Sequence, residues 1–193
     1  MLRRNLLAAT VALALSPFAA LASDAPADAP ILSIEVAGEA NGTIRIALRP
    51  DLAHEHVARI IELAESGAYD GVVFHRVIDG FMAQTGDVEF GHVDGDTSRA
   101  GMGGSDLPDL DAEFSAEPFA RGVMGMARSQ SPNSANSQFF LMFDAAPHLN
   151  GQYTVLGQII DGFDVLDAIK RGQGPNGAMI GAPDVMVHVT VGN

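Results

Sequence analysis

The sequence contains no cysteine, and only 11 of its 193 residues are lysine or arginine. Without cysteine the chain forms no disulfide and carries no thiol that a lipid anchor could modify. The 24 acidic residues give a formal net charge of −13. A chain this acidic is not expected to bind nucleic acid through bulk charge. Twenty-one glycines and ten prolines indicate many turns and loops.

The first 22 residues have the composition of a secretory signal peptide. Met1–Arg4 is a short basic start, Leu6–Leu21 is an apolar run, and Ala20–Ala22 forms a small-x-small cleavage site. The competing interpretation is a membrane anchor, for which the run is slightly short and is interrupted by Pro17. We therefore expect cleavage and export to the periplasm or, alternatively, the medium. Cleavage removes two arginines and no acid, which takes the formal charge from −13 to −15.

The remainder predicts a short tether at 23–30, rich in Ala, Asp and Pro, and one domain at 31–193. This domain is long enough to bury a core without metals or disulfides. Helical spacing predicts one helix between Pro50 and Gly67 and a second at Phe163–Lys170. Alternating or short apolar runs predict eight strands: Ile31–Val36, Thr43–Leu48, Val72–Phe74, Phe81–Gln84, Gly122–Ala127, Gln138–Phe143, Tyr153–Ile159 and Val185–Val191. Short strands with two well-separated helices suggest a closed β-barrel with covered ends.

Two polar side chains stand out in an otherwise apolar stretch. Arg76 lies between apolar residues in a chain with few basic groups, and Gln84 follows Phe81, Met82 and Ala83. The plain interpretation is a core hairpin with Arg76 on the surface. Strand geometry alone does not assemble a site from these residues, because successive side chains face opposite ways.

Four motifs in order resemble the cyclophilin family. They are FHRVIDGFMAQTGD from Phe74, GVMGMAR from Gly122, SQFF from Ser137 and LNGQYTVLG from Leu149. The resemblance covers about Ile31 to Val191. It implies a mainly β fold, a closed eight-stranded antiparallel barrel capped by two helices. It also implies peptidyl-prolyl cis-trans isomerase activity on proline-containing peptides and unfolded protein clients.

The resemblance assigns roles to individual residues. Arg76 is expected to be catalytic, Gln84 and Gln138 to position the substrate backbone, and Ala127 with the backbone of Arg128 to hold the residue before proline. The side chains expected to line the proline pocket are Phe81, Met82, Phe140 and Leu149. Tyr153 is expected at the pocket rim, where many relatives have His. His148 stands where many have Trp, so we expect weak inhibition by cyclosporin, and tight inhibition in a titration would contradict this.

The chemistry that the resemblance implies needs no metal or cofactor. Rotation about an X–Pro bond breaks no bond, but it crosses a barrier of about 18–20 kcal/mol because the nitrogen lone pair is delocalised into the carbonyl. A catalyst must favour the twisted amide, in which the nitrogen regains that lone pair. An apolar pocket that anchors the ring and a guanidinium that donates to the amide would do so.

Three alternatives accompany this interpretation. The chain could be a module that only binds proline-containing segments, but such a module has no need of Arg76. It could be a scaffold subunit, although no extra domain or coiled coil supports that, and we expect a monomer. His54 and His56 could suggest a metal site, but positions i and i+2 face different sides of a helix, so we interpret them as solvated helix surface.

Overall fold

The computed structural model describes residues 28–192. The predicted signal peptide at 1–22 and most of the predicted tether at 23–30 lie outside them. The nine strands are β1 Ile31–Ala37, β2 Gly42–Leu48, β3 Val72–Val73, β4 Arg76–Ile78, β5 Met82–Thr85, β6 Val123–Met126, β7 Phe139–Met142, β8 Val155–Asp161 and β9 Val185–Gly192. The two α-helices are α1 His54–Glu65 and α2 Phe163–Ala168.

All strand pairs are antiparallel, and they form one curled sheet in the order β3-β9-β1-β2-β8-β6-β7-β5-β4. The mainly β class and the two helices are as predicted. The closed eight-stranded barrel is wrong, because the structure has nine strands and its two edge strands, β3 and β4, do not pair with each other.

The sheet stays open between β3 and β4 because these two consecutive strands pair with different partners. β3 pairs with β9, whereas β4 pairs with β5, and only Phe74 and His75 separate β3 from β4 in the chain. The covalent chain therefore crosses from one edge of the sheet to the other. The hydroxyl of Thr85, in the strand β5 next to the edge strand β4, donates to the carbonyl of Val73 in the other edge strand, β3, at 2.9 Å. The three-residue strand β4 was not predicted, since the expected hairpin partner of Phe81–Gln84 was Val72–Phe74.

The apolar faces of the strands and helices converge on a buried core. In β1, Leu32, Ile34 and Val36 are buried at every second position, the alternation of a strand covered on one face. Helix α1 contributes Val57 and Ile60 to the same core. A second buried cluster lies under the cavity described below.

The prediction that His54 and His56 form solvated helix surface is wrong for His56. His54 is exposed, whereas the His56 side chain is buried against Glu113, which lies in the long loop between β5 and β6. Within residues 28–192, no helix is long and apolar enough to cross a membrane.

Candidate active site

The predicted site residues come from three strands, β4, β5 and β7, from residues next to strand ends, and from the segment around residue 149. Strands β4 and β5 carry Arg76, Met82 and Gln84, and β7 carries Phe140. A cavity of about 310 Å³ lies over these strands. The residues lining it include every predicted site residue except Gln138: Arg76, Phe81, Met82, Gln84, Ala127, Arg128, Phe140, His148, Leu149 and Tyr153.

The floor of the cavity is apolar and rigidly supported. Met82, Phe140 and Leu149 are buried, and they belong to one apolar cluster. Phe119 stacks under Phe140 at 5.8 Å between ring centroids and was not predicted. Gly125 permits this arrangement, because a Cβ there would lie 2.5 Å from both rings. A floor of this kind suits an apolar ring rather than a charged group.

Arg76 lies half-buried at one side of the floor with its guanidinium held in place. Its Nη1 donates to Oε1 of Gln84 at 3.0 Å. Its Nε and Nη2 donate to the backbone carbonyl and the side-chain oxygen of Asn176, at 3.1 and 3.0 Å. Burial lowers the pKa of Arg76, but the ordinary pKa of arginine is so high that the group remains a cation. Nη1 also contacts the sulfur of Met82 at 4.0 Å, and a thioether is only a weak acceptor. Of the five N–H donors of arginine, one on Nη2 is therefore open to a ligand, and the one facing Met82 is held only weakly.

Asn176 is a site residue that the sequence analysis missed. It lies in the turn Pro175–Gly177 with φ of 55°, and no other non-glycine residue among 28–192 has a positive φ. Asparagine tolerates this region better than most residues, and both of its oxygens then face Arg76. The Pro-Asn-Gly sequence at 175–177 predicts a turn, but nothing in it predicts that the turn contacts Arg76.

Gln138 lies beside the cavity instead of lining it. Its Oε1 accepts a hydrogen bond from Nε2 of Gln84 at 2.9 Å. It lines an adjoining cavity of about 370 Å³, to which Gln84, Ala127 and Arg128 also contribute. The two cavities therefore meet at Gln84, Ala127 and Arg128, a geometry that suits an extended chain crossing both.

The glycine-rich segment Gly101–Ser105 forms one wall of the adjoining cavity. Buried Asp87 accepts the backbone N–H groups of Gly101 and Gly103, at 2.7 and 2.9 Å. A Cβ at Gly103 would lie 2.6 Å from Oδ1 of Asp87, so glycine is needed for this close approach. The first part of the long loop between β5 and β6 is thus anchored on the carboxylate of Asp87.

Two further aromatic side chains, those of Tyr153 and His148, line the cavity. Tyr153 meets Phe140 edge-on at 5.9 Å, and the ring of His148 lies 5.7 Å from that of Phe81. Both are cavity-lining residues, as the resemblance implies for a pocket rim.

His75 precedes Arg76 and is buried below the loop. Neither of its ring nitrogens has a hydrogen-bond partner among the described residues. Burial lowers the pKa of His75 to about 4, although the charge of Asp87 opposes the shift. The ring is therefore neutral at pH 7, and it sits against Gly101, where a Cβ would lie 2.9 Å from it.

Comparisons with known proteins agree on one family. A family model described as cyclophilin type peptidyl-prolyl cis-trans isomerase/CLD matches residues 31–191. A probable peptidyl-prolyl cis-trans isomerase of Brucella suis is 52% identical over 97% of this chain and 95% of its own length. The isomerase CYP18-1 of Arabidopsis thaliana is 41% identical over 68% of this chain and 79% of its own length.

Solved structures show the same fold. The cyclophilin AquaCyp293 from Hirschia baltica is similar with a TM-score of 0.67 and 27% identity, over 83% of this chain and 73% of its own. A cyclophilin type isomerase of Cryptosporidium parvum, crystallised in the presence of the dipeptide Ala-Pro, has a TM-score of 0.72 and 25% identity. That match covers 84% of this chain and 99% of its own.

Proposed function

Because this chain belongs to the cyclophilin family of peptidyl-prolyl cis-trans isomerases, we propose that it catalyses rotation about X–Pro bonds in the cavity beside Arg76. The observation that carries this proposal is the position of a fixed guanidinium at the edge of an apolar floor. The dipeptide named with the Cryptosporidium parvum relative contains proline, which supports proline-containing peptides as substrates here.

The apolar floor holds the proline ring, and the guanidinium of Arg76 stabilises the twisted amide. The proline ring rests on Phe140, Met82 and Leu149, where burial of its apolar surface holds it in place. The carbonyl before proline then rotates while the ring stays fixed. No proton has to be transferred, so neutral His75 is not needed as a base.

Arg76 stabilises the transition state of the rotation, in which the amide is twisted. When the amide twists, conjugation is lost, and the prolyl nitrogen regains a lone pair that can accept a hydrogen bond. For the carbonyl oxygen and this nitrogen, Arg76 offers the open N–H on Nη2 and the N–H on Nη1 that faces only the weakly accepting sulfur of Met82. Asn176 and Gln84 fix the direction of the guanidinium in advance. A donor oriented before the reaction costs no reorganisation in the transition state.

A cavity-filling variant tests whether this cavity is the substrate site. Ala127 lines the cavity and is partly exposed. We expect Ala127→Phe to abolish saturable binding of a short Ala-Pro peptide in an NMR titration, whereas Ala116→Phe, at an exposed position outside the cavity, leaves it unchanged. Wild-type binding in a folded Ala127→Phe variant would contradict this site.

The proposed clients are unfolded exported proteins, and the proposed location is the periplasm, with the protein acting as a monomer. The basic start, the apolar run and the small-x-small site support export. We expect periplasmic fractions to contain a chain that begins near Ser23 and to accelerate proline-limited refolding of an exported protein. Recovery of the full-length chain with the cytoplasm would contradict the location.

A further inference from the structure

A line of four hydrogen bonds, joined at Gly103 through the backbone between its carbonyl and its N–H, connects Arg76 to Asp87. Nη1 of Arg76 donates to Oε1 of Gln84 at 3.0 Å, and Nε2 of Gln84 donates to Oε1 of Gln138 at 2.9 Å. Nε2 of Gln138 donates to the carbonyl of Gly103 at 2.8 Å, and the Gly103 N–H donates to Oδ2 of Asp87 at 2.9 Å. In every bond the donor lies on the Arg76 side.

The two ends of this line fix the orientation of both amides. Arginine can only donate, so the oxygen of Gln84 must face it and its nitrogen must face Gln138. A carbonyl can only accept, so the nitrogen of Gln138 must face Gly103. Neither amide can turn over without placing two donors or two acceptors together. Because each amide accepts on one side and donates on the other, the bonds polarise one another in the same sense.

Asp87 determines where this line ends. Its carboxylate is fully buried and accepts four backbone N–H groups, from Glu89, Phe90, Gly101 and Gly103. With both oxygens accepting, it has the arrangement of an ionised carboxylate. The carbonyl of Gly103 is therefore held at a defined position, although it belongs to a long loop.

We infer that Asp87 is a positioning residue for the isomerase reaction, acting through Gly103 and the two glutamines to fix the guanidinium of Arg76. A cation begins the line and an anion ends it, with only neutral groups between them. Asp87 does not line either cavity, so it reaches the substrate through the residues that it holds: Gly103 in this line, and Glu89 and Gly101 in the wall of the adjoining cavity. The inference rests on the proposed catalytic role of Arg76.

The first test compares two carboxylates of the same loop. Asp96 is exposed and caps the backbone N–H of Ser98, so Asp96→Asn makes the same change of charge outside the line. We expect Asp87→Asn to lower kcat/KM roughly tenfold, since small displacements of a catalytic group cost up to about 10²-fold. Asp96→Asn keeps the wild-type value. A folded Asp87→Asn variant with wild-type kcat/KM would overturn the inference.

A double-mutant cycle separates positioning from a general effect on the loop. Gln138→Met interrupts the line and leaves the contacts of Asp87 with the loop in place. We expect the double variant to have the same kcat/KM as Gln138→Met alone, because Asp87 then has no path to Arg76. Effects that multiply would show that Asp87 acts independently of Gln138, and the inference would fall.

Gln138→Glu tests the link between Gln138 and the Gly103 carbonyl, on which the inference depends, even where Asp87→Asn does not fold. An ionised carboxylate at this position opposes the Gly103 carbonyl with a second acceptor, whereas a protonated one donates to it and still accepts from Gln84. We expect kcat/KM to be low at about pH 8 and to recover as pH falls towards about 5, because partial burial raises a carboxyl pKa. Gln138→Met, which keeps neighbouring His75 and Asp87, shows no recovery. Absence of recovery in Gln138→Glu would contradict the inference.

The side-chain N–H signals of Gln84 and Gln138 provide a readout that does not depend on catalysis. In wild type, one proton of each amide is bonded, so its two NMR signals are well separated. We expect Asp87→Asn to bring them closer and Asp96→Asn to leave them unchanged. If Arg76→Ala retains the wild-type rate, the proposed role of Arg76 fails, and these signals still show whether Asp87 orders the glutamines.

Discussion

The guanidinium of Arg128 lies over the ring of Tyr153, with Cζ 4.4 Å from the ring centroid. Its Nη2 also donates to the carbonyl of Gln152 at 3.0 Å, so the side chain bridges two sides of the cavity rim. The sequence assigned a role only to the backbone of Arg128. The structure shows that its side chain supports an aromatic ring that borders the substrate cavity.

Removal of this support should weaken substrate binding more than turnover. We expect Arg128→Ala to raise KM for a short X–Pro peptide up to about fivefold, the equivalent of a cation–π contact of about 1 kcal/mol, with kcat within about twofold of wild type. Arg45→Ala, on the exposed side of β2, serves as the control. Steady-state kinetics check this, and an unchanged KM would show that Tyr153 needs no such support.

Asn176 should affect turnover instead. Asn176→Gly removes the side-chain acceptor of Arg76 without strain at positive φ, so we expect kcat to fall about tenfold with little change in KM. Asn176→Asp keeps an oxygen at that position and should retain most of the activity. Equal kcat values for the Gly and Asp variants would contradict a positioning role for Asn176.

Glu113 holds the start of helix α1 from outside the helix. Its carboxylate accepts the backbone N–H groups of Glu55 and His56 and lies 2.6 Å from Nδ1 of His56. We expect Glu113→Gln to lower the free energy of unfolding by about 1–2 kcal/mol at pH 7, as loss of a helix cap does. Glu62→Gln, on the exposed face of α1, should change it far less in the same urea titrations.

The same contact predicts a pH dependence. Burial alone would raise the pKa of Glu113, but hydrogen bonds from His56 and from the backbone of Glu55 outweigh it and lower the pKa. The stabilisation is therefore present above the unfolded-state pKa and is lost as pH falls through the lower folded-state value. The difference between wild type and Glu113→Gln should shrink below about pH 4.5. If the difference in unfolding free energy between the two proteins did not change with pH, the effect of Glu113 would come from packing and not from its charge.

His75 should make the fold sensitive to mild acid. Its pKa is lowered by burial to about 4, against about 6.5 in the unfolded chain. Between these values only the unfolded chain takes up the proton, so stability present above about pH 6.5 is lost as pH falls, by up to about 3 kcal/mol. We expect urea unfolding of His75→Leu to show a shallower loss than wild type, while His54→Leu follows wild type. Parallel curves for all three would contradict this.

The motifs predicted the composition of the cavity well but not its supports. Arg76, Gln84 and Phe140 stand in recognisable motifs, and the structure places them at one cavity. Asn176 was missed because it contacts Arg76 across 100 residues, from a turn with no periodicity. His56 was misjudged because its burial depends on Glu113, 57 residues away.

The sheet shows the same limit. The seven-residue strand β1 has an alternating pattern that local sequence reveals. In β9 the buried Met186 and Val189 are three positions apart, because the pairing with β1 shifts register between Glu35 and Val36. The edge strands β3 and β4 contain only two and three residues, which is too few to show an alternating pattern. Their partners are chosen by tertiary contacts, so the opening between them could not be predicted from either segment.

The central claim is that the guanidinium of Arg76 stabilises the twisted amide. The most direct measurement is the cis-to-trans rate of a saturating X–Pro peptide with wild type, Arg76→Ala and Arg76→Lys, alongside the Kd of each. We expect Arg76→Ala to lose on the order of 10²–10³ in rate while Kd changes by about threefold or less. Lysine should restore little, because it lacks the planar fork of donors. A folded Arg76→Ala variant with the wild-type rate would contradict the account.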